Sequence, residues 1–130
     1  YQDIVQDYTE QDRIYIPQDE LAQAGLVESD LIKPDTNKIA PLIRSLYQRT
    51  LQLMAQGAPL GASLKGRMGW EVRAMTLGGL TTLHSLSKQS NEDLLTRPRL
   101  SKYTFIKIML ISVSSLWYKK TVARLVSAVI

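Results

Sequence analysis

Between Asn37 and Gln56 the apolar residues Ile39, Leu42, Ile43, Leu46, Tyr47, Leu53 and Met54 recur at the i, i+3, i+4, i+7 spacing of an amphipathic helix. No stretch of the chain alternates polar and apolar residues long enough to argue a strand, so the fold class expected is all-α. Punctuation divides the rest. Gly57-Ala58-Pro59 is expected to end this first long helix, and Pro41 either starts it near Ala40 or bends it, because proline lacks an amide donor and clashes one turn back. A glycine-rich connection over residues 61–69 leads to a second long helix, with Val72, Met75, Leu80, Leu83 and Leu86 as its apolar stripe. Gly78-Gly79 inside it costs ~1 kcal/mol per glycine relative to alanine, which points to close approach by another helix or by a ligand.

Shorter elements flank these two. The first ten residues read as the C-terminal part of a helix with its exit over residues 9–13. Pro17 opens a short helix with Asp19 and Glu20 near its positive end and Gly25 as its stop, followed by a loop over residues 27–36 with one helical turn after Ser29. Asn91 is placed to cap the segment before Glu92-Asp93, and Pro98 breaks the chain ahead of a final helical region from Ser101. There Phe105, Ile106, Ile108, Met109, Leu110, Ile111, Val113, Leu116 and Trp117 cover more than one face. Such a helix is usually buried in a bundle; the alternative is a surface that leans on a membrane, with Lys119, Lys120 and Arg124 toward the headgroups.

Composition excludes several classes of function. The 130 residues contain no cysteine, hence no disulfide, no thiolate zinc site and no thiol nucleophile, which fits an intracellular, cytoplasmic setting. His84 is the single histidine, so a multi-histidine metal centre cannot form within the chain. The longest charge-free apolar run, Ile108 to Tyr118, is about half the ~20 residues a membrane-spanning helix needs, and the first residues are acidic where a secretory signal would be basic. Charge is unevenly spread: nine Asp/Glu against Arg13 and Lys33 through residue 36, then fourteen Lys/Arg against Glu71, Glu92 and Asp93. The basic residues are not interleaved with aromatics, so no nucleic-acid partner is expected; contact peripheral to the inner membrane is the partner class the basic end allows.

Asp3 and Asp7 stand four residues apart at the start of the chain, which puts both carboxylates on one helix face. Their repulsion costs ~0.2–0.5 kcal/mol. A hard divalent cation such as Mg²⁺, which takes oxygen ligands from one or two carboxylates together with substrate phosphates, would offset it.

An ordered set of motifs extends this pair. Asp3-xxx-Asp7 followed by Arg13-x-Tyr15-x-Pro17-x-Asp19-x-Leu21 resembles the second aspartate-rich motif of the squalene/phytoene synthases and the segment after it. Gly57-Ala58-Pro59-Leu60, Gly66-Arg67-x-Gly69-Trp70-Glu71-Val72-Arg73-Ala74, Gly78-Gly79-Leu80 and Arg97-Pro98-Arg99-Leu100 are similar, in order, to the C-terminal half of bacterial members. The resemblance implies the C-terminal part of an isoprenoid-synthase helical bundle, a single partial domain over residues 1–130. It also implies head-to-head condensation of two prenyl diphosphates, farnesyl or geranylgeranyl, to squalene or phytoene through a cyclopropyl diphosphate, with NADPH as a further cofactor where the product is squalene.

On this reading Asp3 and Asp7 are the Mg²⁺ ligands, Arg13 and Gln2 contact substrate, and Tyr15 closes the cavity or steadies the departing diphosphate. For Arg13 the residues leave a second role open, pairing with Glu10 or Asp12, and for Tyr15 simple packing; Glu71 and Arg73 read as structural. Gln2 occupies a position where many relatives carry arginine, and Asp7 to Arg13 is one residue longer than the commoner pattern. No residue here supplies the first aspartate-rich motif of a complete synthase, so the chain on its own is expected to be inactive. The competing class is a non-catalytic relative that keeps the helical fold as an assembly or interaction protein.

Overall fold

The computed structural model describes residues 4–31, 35–93 and 98–129. Among these, every regular element is a helix: α1 (Ile4–Gln11), α2 (Gln18–Gln23), a 3-10 turn (Glu28–Leu31), α3 (Thr36–Ser63), α4 (Gly66–Lys88), α5 (Lys102–Ile111) and α6 (Ser115–Val129). The all-α expectation holds. The chain divides into two compact units, one of residues Tyr1–Leu46 with Lys88–Pro98, the other of Tyr47–Ser87 with Arg99–Ile130.

In the first unit short helices are stopped by local chemistry. Gly25 ends α2 at φ +70°, its amide donating to the Ala22 carbonyl while the Leu26 amide donates to Leu21. This nested pair is a Schellman stop, and it needs a residue free to adopt the left-handed conformation. Leu21 and Leu26, the two apolar positions of such a stop, are both buried. Asp30 then folds the 3-10 turn: its carboxylate accepts the Val27 amide at 2.9 Å and faces Lys38 Nζ at 3.3 Å. Asp35 caps α3, its Oδ1 accepting the Asn37 amide and its carbonyl the amides of Lys38 and Ile39. Arg44 clamps the returning segment, donating through Nη2 to the Gln89 carbonyl at 3.0 Å and to Asn91 Oδ1 at 2.9 Å. Asn91 thus serves as a tie to α3. Ile16, Leu21, Leu26, Leu31, Ile39, Ala40, Leu42, Ile43 and Leu46 are the buried apolar side chains among this unit's described residues.

Helix α3 departs from the sequence expectation at both ends. It starts at Thr36, carrying Pro41 inside, and it runs through Gly57-Ala58-Pro59 to Ser63. An interior proline costs ~3 kcal/mol, so the last turn must be held from outside the helix. Arg73 of α4 holds it. Buried to 6% exposure, its guanidinium donates through Nη1 to the carbonyls of Gly61 (3.0 Å) and Leu64 (3.2 Å) and through Nε to the carbonyl of Ser112 (2.6 Å). Those carbonyls lie at the C-terminal ends of α3 and α5, where helices leave acceptors unpaired and carry partial negative charge. One cation therefore completes two helix ends.

The rest of the second unit forms around this point. Leu64 and Lys65 alone separate α3 from α4, which Gly66 opens at φ +66°; the expected long glycine connection is helix. A Cβ on Gly61 would lie 2.8 Å from Tyr118 Oη, and one on Gly69 would collide with the Leu64 carbonyl oxygen. Both glycines are required by close approach. The buried stripe of α4 is Gly69, Arg73, Leu77, Leu80, Leu83 and Leu86, and Met75, expected on that stripe, faces outward.

The final region is two helices. Ser112 is fully buried, donates from Oγ to the Ile108 carbonyl and gives its own carbonyl to Arg73; Ser114 then caps α6 by accepting the Trp117 amide. Leu77, Ile108 and Tyr118 form the buried cluster where α4, α5 and α6 meet, with Ala62, Ala74, Ile111, Val122 and Leu125 packed on it. The outer residues of α5 and α6, expected inside a bundle, are exposed.

Two stability predictions follow from these contacts. Arg73→Met leaves the buried carbonyls of Gly61 and Ser112 and the half-buried one of Leu64 without this donor, at ~1–3 kcal/mol for each buried group, so urea unfolding should show a loss on the order of 3–5 kcal/mol; Arg73→Lys, which keeps the charge but not the fork of donors, should recover less than half. Asp30 titrates below the usual carboxylate range, chiefly because it accepts the Val27 amide and secondarily because of Lys38. A carboxyl more acidic folded than unfolded contributes stability above its unfolded pKa of about 4, lost as pH falls through the lower folded value. Asp30→Asn should therefore be less stable at neutral pH and lose less as the pH falls below the ordinary carboxylate range, read as denaturant midpoint against pH.

Candidate functional site

Helix α1 places Asp7 half-buried, one turn before the helix ends. The exit from that helix is closed tightly. Asp12 takes φ +51°, a conformation that short polar side chains tolerate better than branched ones. Its amide donates to the Tyr8 carbonyl at 3.2 Å, and the Arg13 amide donates across the turn to the Asp7 carbonyl at 3.1 Å. This is the nested pattern of a left-handed helix stop, widened by one residue. The longer spacing from Asp7 to Arg13 is taken up within the stop, and the Arg13 backbone remains bonded to the residue that carries the candidate ligand.

Beyond it the side chains are sorted by burial. Arg13 is exposed, Ile14 half-buried, Tyr15 64% exposed and Ile16 3% exposed. Ile16 anchors the segment inward and leaves the Tyr15 phenol facing out. Glu10, one of the two partners considered for Arg13, accepts from Gln6 Nε2 at 3.2 Å. Gln2 and Asp3 lie outside the described residues. Among the described residues no group of three or more histidine, aspartate or glutamate side chains gathers to hold a metal. Asp7 carries a carboxylate, a hard oxygen donor, and is half-buried.

The motifs of the second unit are accounted for by the helix junction. In the run from Gly66 to Ala74, Arg67 pairs with Glu71 one turn on at 2.7 Å on the surface, Trp70 Nε1 donates to the Met109 carbonyl at 3.1 Å, and Arg73 completes the two helix ends. Ala58, in the run from Gly57 to Leu60, accepts the Tyr118 hydroxyl at 2.7 Å. Burial pushes the Tyr118 phenol above its ordinary pKa, so it stays a hydrogen-bond donor at any physiological pH. Sequence reasoning missed Tyr118; the signal was a hydroxyl-bearing aromatic on the Tyr118, Val122, Leu125 stripe of α6.

Gly78 and Gly79 serve different neighbours. A Cβ on Gly79 would sit 2.5 Å from the Met54 methyl of α3, whereas Gly78 has open space above it. Gly78 lines an open apolar groove of ~430 Å³ between α4 and α5, with Trp70, Ala74, Met75, Leu100 and Phe105. A second open apolar groove, of ~660 Å³, runs between α3 and α6 over Ala55, Ala58, Ala62, Tyr118, Val122 and Val126.

The helix stop is directly testable. Asp12→Gly should match or exceed the parent in thermal stability, because glycine adopts the left-handed conformation without steric cost. Asp12→Val should lose on the order of 1–2 kcal/mol, and equal melting temperatures for the two variants would remove the assignment.

Comparison with known proteins bears on residues 1–104. Over 73 residues it is 36% identical to the hydroxysqualene synthase of Rhodopseudomonas palustris, a match that covers 55% of this chain and 25% of that protein. The matched segment thus spans about a quarter of the relative's length. No solved structure matches. Residues 1–104 match squalene/phytoene synthase, and with most of its length so matched the chain belongs to the squalene/phytoene synthase family.

Proposed function

We propose that the gene product containing these residues condenses two prenyl diphosphates head-to-head, with farnesyl diphosphate as substrate and a C30 squalene-type skeleton as product. The observation that carries this reading is the family match over residues 1–104, within which the exit of α1 keeps the backbone of Arg13 bonded to that of Asp7. Family membership and the hydroxysqualene synthase likeness support it, and a squalene skeleton requires two C15 donors. Geranylgeranyl diphosphate and phytoene are the alternative pair.

Asp3 and Asp7 would hold Mg²⁺, which when bound supplies charge stabilisation to a leaving diphosphate. Arg13 offers a planar set of donors that matches phosphate oxygens. Tyr15, exposed beside the buried Ile16, would offer a hydroxyl to the same leaving group.

The test is diphosphate release by the gene's complete product with farnesyl diphosphate and Mg²⁺, geranylgeranyl diphosphate serving as comparator. Asp7→Asn should lower turnover roughly a hundredfold or more, the scale of losing one electrostatic stabiliser of developing charge, with an unchanged helical circular dichroism spectrum. Unchanged turnover in that variant would sink the ligand assignment. No turnover by the parent with either substrate would favour the assembly protein.

A further inference from the structure

Helix α5 is apolar on two opposite sides, and among the described residues only one of them is buried in its unit. Ile108 and Ser112 face the buried cluster. Tyr103, Ile106, Leu110 and Val113, spaced three, four and three residues apart, form a separate stripe that is exposed, from 57% at Ile106 to 75% at Tyr103. The corner into α6 continues it. Leu116 and Trp117 are each 58% exposed, so Leu110, Val113, Leu116 and Trp117 crowd eight residues of chain with uncovered apolar surface. A contiguous patch of this kind marks an interaction surface.

Charge identifies the partner. No acidic residue follows Asp93, while Arg97, Arg99, Lys102, Lys107, Lys119, Lys120 and Arg124 are all basic. Lys102 and Lys107 flank the α5 stripe, and Lys119, Lys120 and Arg124 are exposed on α6 with Leu116 and Trp117. Apolar side chains rimmed by cations, with tyrosine and tryptophan among them, match the acyl boundary and anionic headgroups of a bilayer surface. A protein partner with a purely apolar face would leave those cations unused. No helix among the described residues is long and apolar enough to cross a membrane, so the contact is one that lies on the surface. Most of this surface lies beyond residue 104, where the family match ends.

We propose that the α5–α6 corner docks the protein onto an anionic lipid bilayer, with Leu110, Val113, Leu116 and Trp117 entering the interface and the flanking lysines and arginine binding headgroups. The proposal is independent of the catalytic reading. Vesicle flotation of the 130-residue chain provides the test, with vesicles of phosphatidylcholine containing about a third phosphatidylglycerol against phosphatidylcholine alone. The chain should float with the anionic vesicles, and raising salt should weaken binding.

Leu110→Ser with Leu116→Ser should reduce the partition coefficient about tenfold or more, since each substitution removes several buried methylene equivalents. Lys119→Ala and Lys120→Ala should each reduce it roughly fivefold. These side chains are exposed, and unchanged circular dichroism will show that the variants fold. Trp117 supplies a second readout: tryptophan emission should shift to the blue on anionic vesicles and fail to do so in Trp117→Phe, leaving only the half-buried Trp70. Absence of flotation, equal binding to neutral vesicles, or variants that float like the parent would each overturn the proposal. So would a chain that ignores vesicles but self-associates through this face, becoming monomeric in the leucine variant.

Discussion

A single buried guanidinium determines how the second unit is put together. Helix ends are expensive to bury because each leaves carbonyls without amide partners. Here the ends of α3 and α5 are brought to the same cation, Arg73, which donates to Gly61, Leu64 and Ser112. A buried charge also carries a desolvation penalty, and three carbonyls at negative helix ends are a setting that repays it without a carboxylate partner. The demand for close approach then propagates. Gly61 cannot carry a Cβ because Tyr118 and the Arg73 stem occupy that space, Gly69 cannot because Leu64 does, and the Tyr118 hydroxyl reaches the Ala58 carbonyl past the gap that Gly61 leaves.

This arrangement explains which parts of the fold were legible in the sequence. The stop at Gly25 and the 3.6-residue period of α3 are local events, determined within a few residues by backbone freedom and side-chain spacing, and both were readable. The continuation of α3 past Pro59 was not, because the contacts that hold its last turn come from Arg73 and Tyr118, 14 and 59 residues further along the chain. The break between α5 and α6 carries no glycine or proline. It is made by Ser112, whose hydroxyl bonds back to Ile108 and whose carbonyl is drawn to Arg73, and by the cap on Ser114. Only that cap left a mark in the sequence, in the run Ser112-Val113-Ser114-Ser115.

At the candidate site the balance is different. The pairing of Asp7 with a following arginine and tyrosine was legible as an ordered motif, yet their mutual placement depends on one backbone conformation, at Asp12, that spacing does not encode. Aspartate is common in both loops and helix exits, so its left-handed conformation here has no distinctive residue to announce it. The run from Gly66 to Ala74 shows the converse. It was read as part of the same ordered set, and its side chains turn out to serve the helix junction: Trp70 and Arg73 bond carbonyls, and Glu71 is taken by Arg67. A motif shared with a family need not touch a substrate to be required; it can be the joint that positions the elements around it.

The same accounting separates residues that hold the fold from residues that do something else. Leu77, Ile108 and Tyr118 leave water on folding and contribute on the scale of ~2 kcal/mol for each large side chain. Leu110, Val113, Leu116 and Trp117 remain more than half exposed, so folding of this chain gains little from them, and their apolar surface adds an aggregation liability. α5 therefore carries two apolar faces with different energetics, one that the helix junction requires and one that it does not. Stability accounts for the first. The second needs a partner outside the unit's own core, and its basic border restricts which partner the surface can accept.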